Sequence, residues 1–214
     1  MRKDINDYSL YVFDLDGTLY DQPRLRMIMA VRLVMYYIHH PFSVKDIMIL
    51  QHFRKVKDAR VSGSSDEEVI KTVAENKNTD IERVRRIVGK WIYDDPLSAL
   101  SKVKDTKLIA WIGELRASGK KVVIFSDYPV KDKLDAMSVT VDGMYDPKDP
   151  RIDEQKPSPK GLSVIMQDTG IAAGDILMIG DRMEKDGMSA KAAGVDCLIL
   201  ERNVSKRKIN EKRA

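Results

Sequence analysis

Asp14 and Asp16 stand two residues apart at the end of the apolar run Leu10–Phe13, and Gly17-Thr18-Leu19 follows at once. Two carboxylates at that spacing can face one cavity, and the glycine lets the backbone turn away from it. One can attack an electrophile while the other moves protons, provided their surroundings separate their pKa values. A calcium loop is excluded, because no glutamate stands twelfth from Asp14. Three further clusters carry chemistry of the same kind. Ser126-Asp127 ends the apolar run 122–125, and a hydroxyl beside backbone amides suits a phosphate oxygen. Lys156 lies in Lys-Pro-Ser-Pro, where prolines restrict the backbone around one ammonium. Asp181 ends the run 176–179 and Asp186 follows five residues later, a pair that suits a hard cation such as Mg²⁺.

The elements that must position these groups are legible in the hydrophobic pattern. Short apolar runs at 10–13, 121–125, 140–145, 175–179 and 195–200 read as strands. Between them lie helical patterns at 108–118 (stopped by Gly119), 130–137 and 184–193, with another helix opened by Ser158-Pro159. Strands alternating with helices predict an α/β fold, a Rossmann-like parallel sheet core with helices on both faces. Ligands of such sheets bind outside the carboxyl ends of the strands, which draws the four clusters together.

Asp14 and Ser126 are much farther apart than one crossover helix requires, and the intervening residues read as an all-helical cap inserted after the first strand. A helix covers 27–39, and Ser43 caps a second reaching about Arg60. Ser65-x-x-Glu68 and Thr79-x-x-Glu82 open two more as capping boxes, and Asp95-Pro96 closes the block. The expected division is 1–20 and 102–201 as α/β core, 21–101 as cap and 202–214 as a basic tail, with hinges at 21–23 and 94–102. The apolar segment 27–38 reads as cap core, the alternative being an entrance for an amphiphilic ester. His39, His40, Arg54, Lys55 and Arg60 are polar cap residues read as surface, and adjacent histidines diverge too far on a helix to share a metal.

Composition excludes other classes. Hydrophobic residues at 43% leave ample core, so disorder is excluded, and charge at 33% implies a heavily solvated surface. The net charge of +4 hints at nucleic acid. However, 202–214 holds six basic residues against Glu211 alone, leaving the rest of the chain near −1, so a frayed basic end is expected and no nucleic-acid partner. One cysteine, Cys197, forms no intrachain disulfide and reads as a small strand hydrophobe. No signal-type segment or membrane span is seen at sequence level, so a cytoplasmic location is expected.

Taken together and in order, Asp-x-Asp-Gly-Thr-Leu at 14–19, Ser126, Lys156 and Gly-Asp-x-x-x-x-Asp at 180–186 resemble the four motifs of the haloacid dehalogenase superfamily, most of whose members are phosphohydrolases. The resemblance covers about 10–19 and 105–200, and its helical-cap branch includes phosphoglycolate phosphatase and β-phosphoglucomutase types. It implies Asp14 as nucleophile, Asp16 as general acid and base, and Lys156 paired with Asp14 and the phosphate. Ser126 and Asp127 would contact substrate. Asp14, the Asp16 carbonyl, Asp181 and Asp186 would hold Mg²⁺, with Asp186 as a further ligand or an orienting group. Asp127 departs from the asparagine common in related phosphatases. A carboxylate approaching a phosphate dianion at about 3.5 Å meets roughly 9 kcal/mol of repulsion at an effective dielectric of 20, so both a cation and Lys156 are required. The implied activity is hydrolysis of a small phosphate monoester through an aspartyl-phosphate on Asp14. Asp16 argues against dehalogenation, since halide needs no proton on departure. The alternatives are a sugar phosphomutase of the same superfamily and a non-catalytic phosphate-binding domain.

Overall fold

Five strands, β1 (Leu10–Phe13), β2 (Lys121–Phe125), β3 (Gly143–Tyr145), β4 (Ile176–Gly180) and β5 (Asp196–Ile199), form one parallel sheet in the order β3-β2-β1-β4-β5. The computed structural model describes residues 3–41, 45–59 and 65–207. Helices α6 (Thr106–Ala117), α7 (Lys131–Met137), α8 (Lys160–Thr169) and α9 (Met188–Ala193) connect the strands and cover both faces. Phe13 of β1 is in register with Ile124 of β2 and with Ile179 of β4. Asp14, Ser126 and Asp181 therefore leave three adjacent strands within a residue or two of one level, at the point where strand order reverses.

Alternation along β1 explains the two cores. Tyr11 and Phe13 face one side, where the Trp111 ring of α6 meets them edge-on at 6.0 and 5.7 Å. Leu10 and Val12 face the other side, against Leu162 and Ile165 of α8 and Ile176 and Met178 of β4. Both faces are buried, which is why the strands read as unbroken apolar runs.

Between β1 and β2 the chain makes α1 (Gln22–His39), α2 (Asp46–Ala59), α3 (Asp66–Lys77), α4 (Ile81–Val88) and α5 (Asp95–Val103). Their cores, including Leu25, Met29, Phe53 and Trp91, are continuous with the Tyr11–Trp111 cluster. The chain enters this helical segment and leaves it side by side. Tyr20 bridges Lys104, Asp21 N–H donates to the Val103 carbonyl at 2.9 Å, and Asp105 N–H donates to that of Leu19 at 2.8 Å.

Several expectations are corrected. Residues 27–38 do not form a buried cap core: Leu25, Met29 and Tyr37 are buried, whereas Met27, Val31, Val34, Met35 and Ile38 on the opposite face are 54–68% exposed. The helix is apolar nearly all round, and a segment one layer thick buries only one side of it. Thr79 does not cap α4. Its N–H closes α3 on the Ala74 carbonyl at 3.0 Å, and Asp80 accepts from Arg83 N–H at 3.0 Å as the cap instead.

Asp95-Pro96 does not end the helical block, and the segment 94–102 is helical. α4 runs through a π-helical turn (Gly89–Asp94) into α5, whose first turn holds Pro96, and the wider turn accommodates its missing N–H. The second π turn, Met183–Gly187, precedes α9. Ser158 precedes Pro159, the cap of α8, and its hydroxyl accepts from Lys160 N–H at 3.2 Å. Ser65 does cap α3, accepting from Glu68 N–H at 3.4 Å. Ser43, Arg60, residues 61–64 and 208–214 lie outside the described residues. No helix among the described residues is long and apolar enough to cross a membrane.

Candidate active site

A cavity of about 280 Å³ opens between the carboxyl edge of the sheet and the helical segment. Asp14, Asp16, Ser126, Asp127, Lys156 and Asp186 all line it, although they come from four separated stretches of chain. Asp14 continues β1, its N–H bonded to the Ile179 carbonyl at 2.8 Å, and the Thr18 hydroxyl fixes its Oδ2 at 2.8 Å. Gly17 makes that return possible. Its φ is +98°, and a Cβ there would stand 2.7 Å from Asp181 Oδ2.

Lys156 is buried with its Nζ 2.5 Å from Asp14 Oδ1 and 2.7 Å from Asp186 Oδ1, and it also reaches the Phe125 carbonyl at 3.3 Å. Burial pulls this ammonium down, but Asp14, Asp186 and Asp127 outweigh that, and its pKa stands well above the ordinary lysine value. Gly180 lets Asp186 fold back onto the strand end, since a Cβ at Gly180 would lie 2.4 Å from the Asp186 carboxyl carbon. The Asp186 Oδ2 accepts from Arg182 N–H at 3.1 Å.

Asp14, Asp181 and Asp186 each bring one carboxylate oxygen within 4.8 Å of the others, all three buried. Asp181 Oδ1 is buried with no hydrogen-bond partner among the described residues. Burial, with the charge of Asp186, raises the carboxyl groups of both Asp14 and Asp181, against Lys156 at the first and arginines at the second. Three crowded carboxylates with one orphaned oxygen fit a divalent cation, which would supply the missing partner and favour the ionised forms. Asp181 faces this cluster and does not line the main cavity.

The Asp16 side chain is no part of that cluster. Its Oδ1 accepts from Lys133 Nζ and from the Tyr20 hydroxyl, and its Oδ2 accepts from the Ser126 hydroxyl at 3.1 Å. Burial pushes the Asp16 carboxyl up, but the charge and hydrogen bond of Lys133, with those of Tyr20 and Ser126, hold it below the ordinary carboxylate value. Neighbouring carboxylates thus titrate in opposite directions: Asp14 is raised and Asp16 lowered. Asp127 is tied on both oxygens, to Lys156 N–H and to Lys185 Nζ, each at 3.0 Å. It fixes the lysine loop, and Lys185 compensates its charge.

Other residues of the site were not singled out from sequence. Lys133, Tyr20, Tyr128, Arg26 and Lys185 line the cavity. Tyr20 adjoins the Asp14–Leu19 motif, whereas nothing distinguished Lys133 from Lys131 beside it. Arg54, a polar cap residue expected at the surface, is exposed and also lines the cavity. Lys55, His39 and His40 do not line it, and the histidine rings bond instead to helix carbonyls of Met35 and Tyr36 at 2.9 Å.

The expectation of a frayed end fails through residue 207. Arg207 is buried, and its guanidinium donates to the Gly17 and Thr18 carbonyls at 2.5 Å each and to Asp105 Oδ2 at 2.9 Å. Its Nε also donates to the Glu201 carbonyl at 2.6 Å, so desolvating the arginine is offset by a buried carboxylate and three backbone acceptors.

A family profile described as haloacid dehalogenase-like hydrolase matches residues 8–194. No curated protein matches significantly. Among solved structures, a 2-haloacid dehalogenase from Pseudomonas syringae pv. Tomato DC3000 is 14% identical, covers 90% of this chain and 86% of its own, and superposes with a TM-score of 0.63. A HAD phosphatase from Thermococcus onnurineus is 19% identical over 91% and 87% of the two chains, TM-score 0.61. A putative HAD-hydrolase from Bacillus subtilis, bound to magnesium, is 15% identical over 90% and 88%, TM-score 0.58. At these identities the structures share the fold and nothing finer. The profile, matched from before the Asp14 motif to beyond Asp186, settles the family: this chain belongs to the haloacid dehalogenase-like hydrolases.

Proposed function

We propose that this hydrolase is a Mg²⁺-dependent phosphatase acting on a small phosphate monoester. One observation carries the reading. Asp16 stands in the cavity outside the acidic cluster, with its own cation and hydroxyl, as a second carboxylate set apart for proton transfer. An alkoxide leaving group requires such a group, whereas a departing halide does not.

Asp14 Oδ attacks phosphorus, the ester P–O bond breaks, and the alcohol oxygen leaves with a proton from Asp16. Lys133 bridges to Asp16 before an anionic ligand enters. Once Lys133 turns to that ligand, Asp16 loses its cation beside a new anion and takes up the proton it will donate. In the second half, water attacks phosphorus and gives its proton back to Asp16. The acyl P–O bond then breaks, freeing phosphate and the Asp14 carboxylate. Lys156 bridges Asp14 and Asp186 and offsets charge on the transferring group. Magnesium held by Asp14, Asp181, Asp186 and the Asp16 carbonyl would supply the remaining electrostatic stabilisation. Ser126 and Asp127 flank the phosphate, the former by its hydroxyl and the latter by fixing the Lys156 loop. Helices α1–α5 act as the cap that excludes water.

The test is phosphate release across a panel of monoesters with Mg²⁺, beside 2-chloropropionate, metal-free protein and Asp14→Asn. Phosphate release lost in both controls supports the assignment. Chloride release with no phosphate release overturns it, and activity that requires a bisphosphate indicates a mutase.

A further inference from the structure

We propose that the ester cleaved here has an apolar alcohol half, an alkyl or aryl body rather than a polyol. The inference rests on the phosphatase reading and concerns the wall opposite the carboxylates. That wall is built by Met29, Ala30 and Leu33 of α1, Ile92 of the π turn, and Leu97 and Leu100 of α5. These are aliphatic side chains contributed by two consecutive turns of one helix and the two segments packed against it.

Hydroxyl groups on a substrate need partners when they leave water, and this wall offers few. Tyr93, which lines the cavity between Ile92 and Leu97, already donates to Asp66 Oδ2 at 2.6 Å, and Asp66 is also bound by the buried Lys57. On the sheet side Asp16, Ser126 and Asp127 are committed to Lys133, Asp16 and the lysines 156 and 185. Gln22, Asp58, Tyr128 and Arg182 line the cavity as well, but hydroxyls laid against the aliphatic wall meet carbon, whereas a hydrocarbon body gains contact there. Arg26 and Arg54 also line the cavity and make no hydrogen bond or ion pair among the described residues. They attract the phosphate dianion without demanding polar groups on the alcohol. The helix that exposes an apolar stripe on its outer face thus presents a second apolar stripe inward.

The experiment is calorimetric binding of methyl-, propyl-, pentyl- and 2,3-dihydroxypropylphosphonate with Mg²⁺, run beside phosphate release from the matching phosphate esters. Affinity should rise roughly three- to fourfold per methylene, with the dihydroxypropyl compound weaker than propyl by tenfold or more. Leu33→Asn and Leu97→Asn should flatten that slope. A flat series, or tighter binding of the dihydroxypropyl compound, overturns the inference. Chain-length-dependent binding with no phosphate release from any ester overturns the phosphatase reading and leaves the apolar subsite standing.

Discussion

Lys133, in the first turn of α7, holds the carboxylate of Asp16 although 117 residues separate them. The ammonium is one reason Asp16 sits below the ordinary carboxylate value despite its burial. Removing the cation disfavours the charged form, so the carboxyl pKa rises in Lys133→Met. Followed by carboxyl 13C NMR in the ligand-free protein, the Asp16 titration should then move toward neutral pH. An unmoved titration means that Lys133 does not tune Asp16.

Divalent metal should stabilise the protein in a pH-dependent way. Without metal, burial and the charge of Asp186 raise the Asp14 carboxyl to about 8, against Lys156. The protonated form is thus favoured in the folded state, and metal-free stability falls as pH climbs from the ordinary carboxylate range through 8. Metal binds the ionised form, so its stabilisation grows over the same window. At a hundred times Kd it amounts to about 2.7 kcal/mol. Thermal melts with and without Mg²⁺ at several pH values check the sign, and Asp181→Asn should abolish most of the shift.

Arg207→Met should unfold the protein more easily by about 3–5 kcal/mol, because it strands the buried Asp105 carboxylate and two carbonyls of the Gly17 turn. Urea titration measures the loss, and Arg207→Lys should recover part of it.

Cys197 is half-buried in β5, and burial pushes its thiol up to about 12. At pH 8 only about one thiol in ten thousand is ionised. A disulfide reagent should leave it unmodified in the native protein and titrate it fully in urea.

How much of this was legible in sequence follows from what each feature depends on. The sheet was readable because strands buried on both faces are written as unbroken apolar runs, and Tyr11, Val12 and Phe13 had no other place to go. The Asp14, Ser126 and Asp181 positions were readable because each follows such a run, and Lys156 because prolines restrict the chain beside it. Lys133 was not, since its role comes from where α7 docks, and one lysine in a helical first turn looks like another. The outer stripe of α1 misled for a related reason. An all-apolar helix states that it wants burial, and only the assembled layers decide which face receives it. Arg207 was read from a basic stretch whose composition said solvent, while its own contacts are with backbone carbonyls that no side-chain pattern announces.

The strand order also governs how this chain comes to be built. β1 is the middle strand, yet its partners β2 and β4 begin at Lys121 and Ile176, with the whole helical segment intervening on one side. During synthesis Leu10–Phe13 emerges with both hydrogen-bonding edges open and waits for about 100 residues, on the order of 5–20 s at ordinary elongation rates. The helices of the insertion, whose contacts are local, can form in that interval. A four-residue strand carrying Asp14 and Asp16 immediately after it is short and charged at its end, which limits edge-to-edge aggregation while it waits. The carboxylates proposed for the chemistry thus also place charge at the end of the waiting strand.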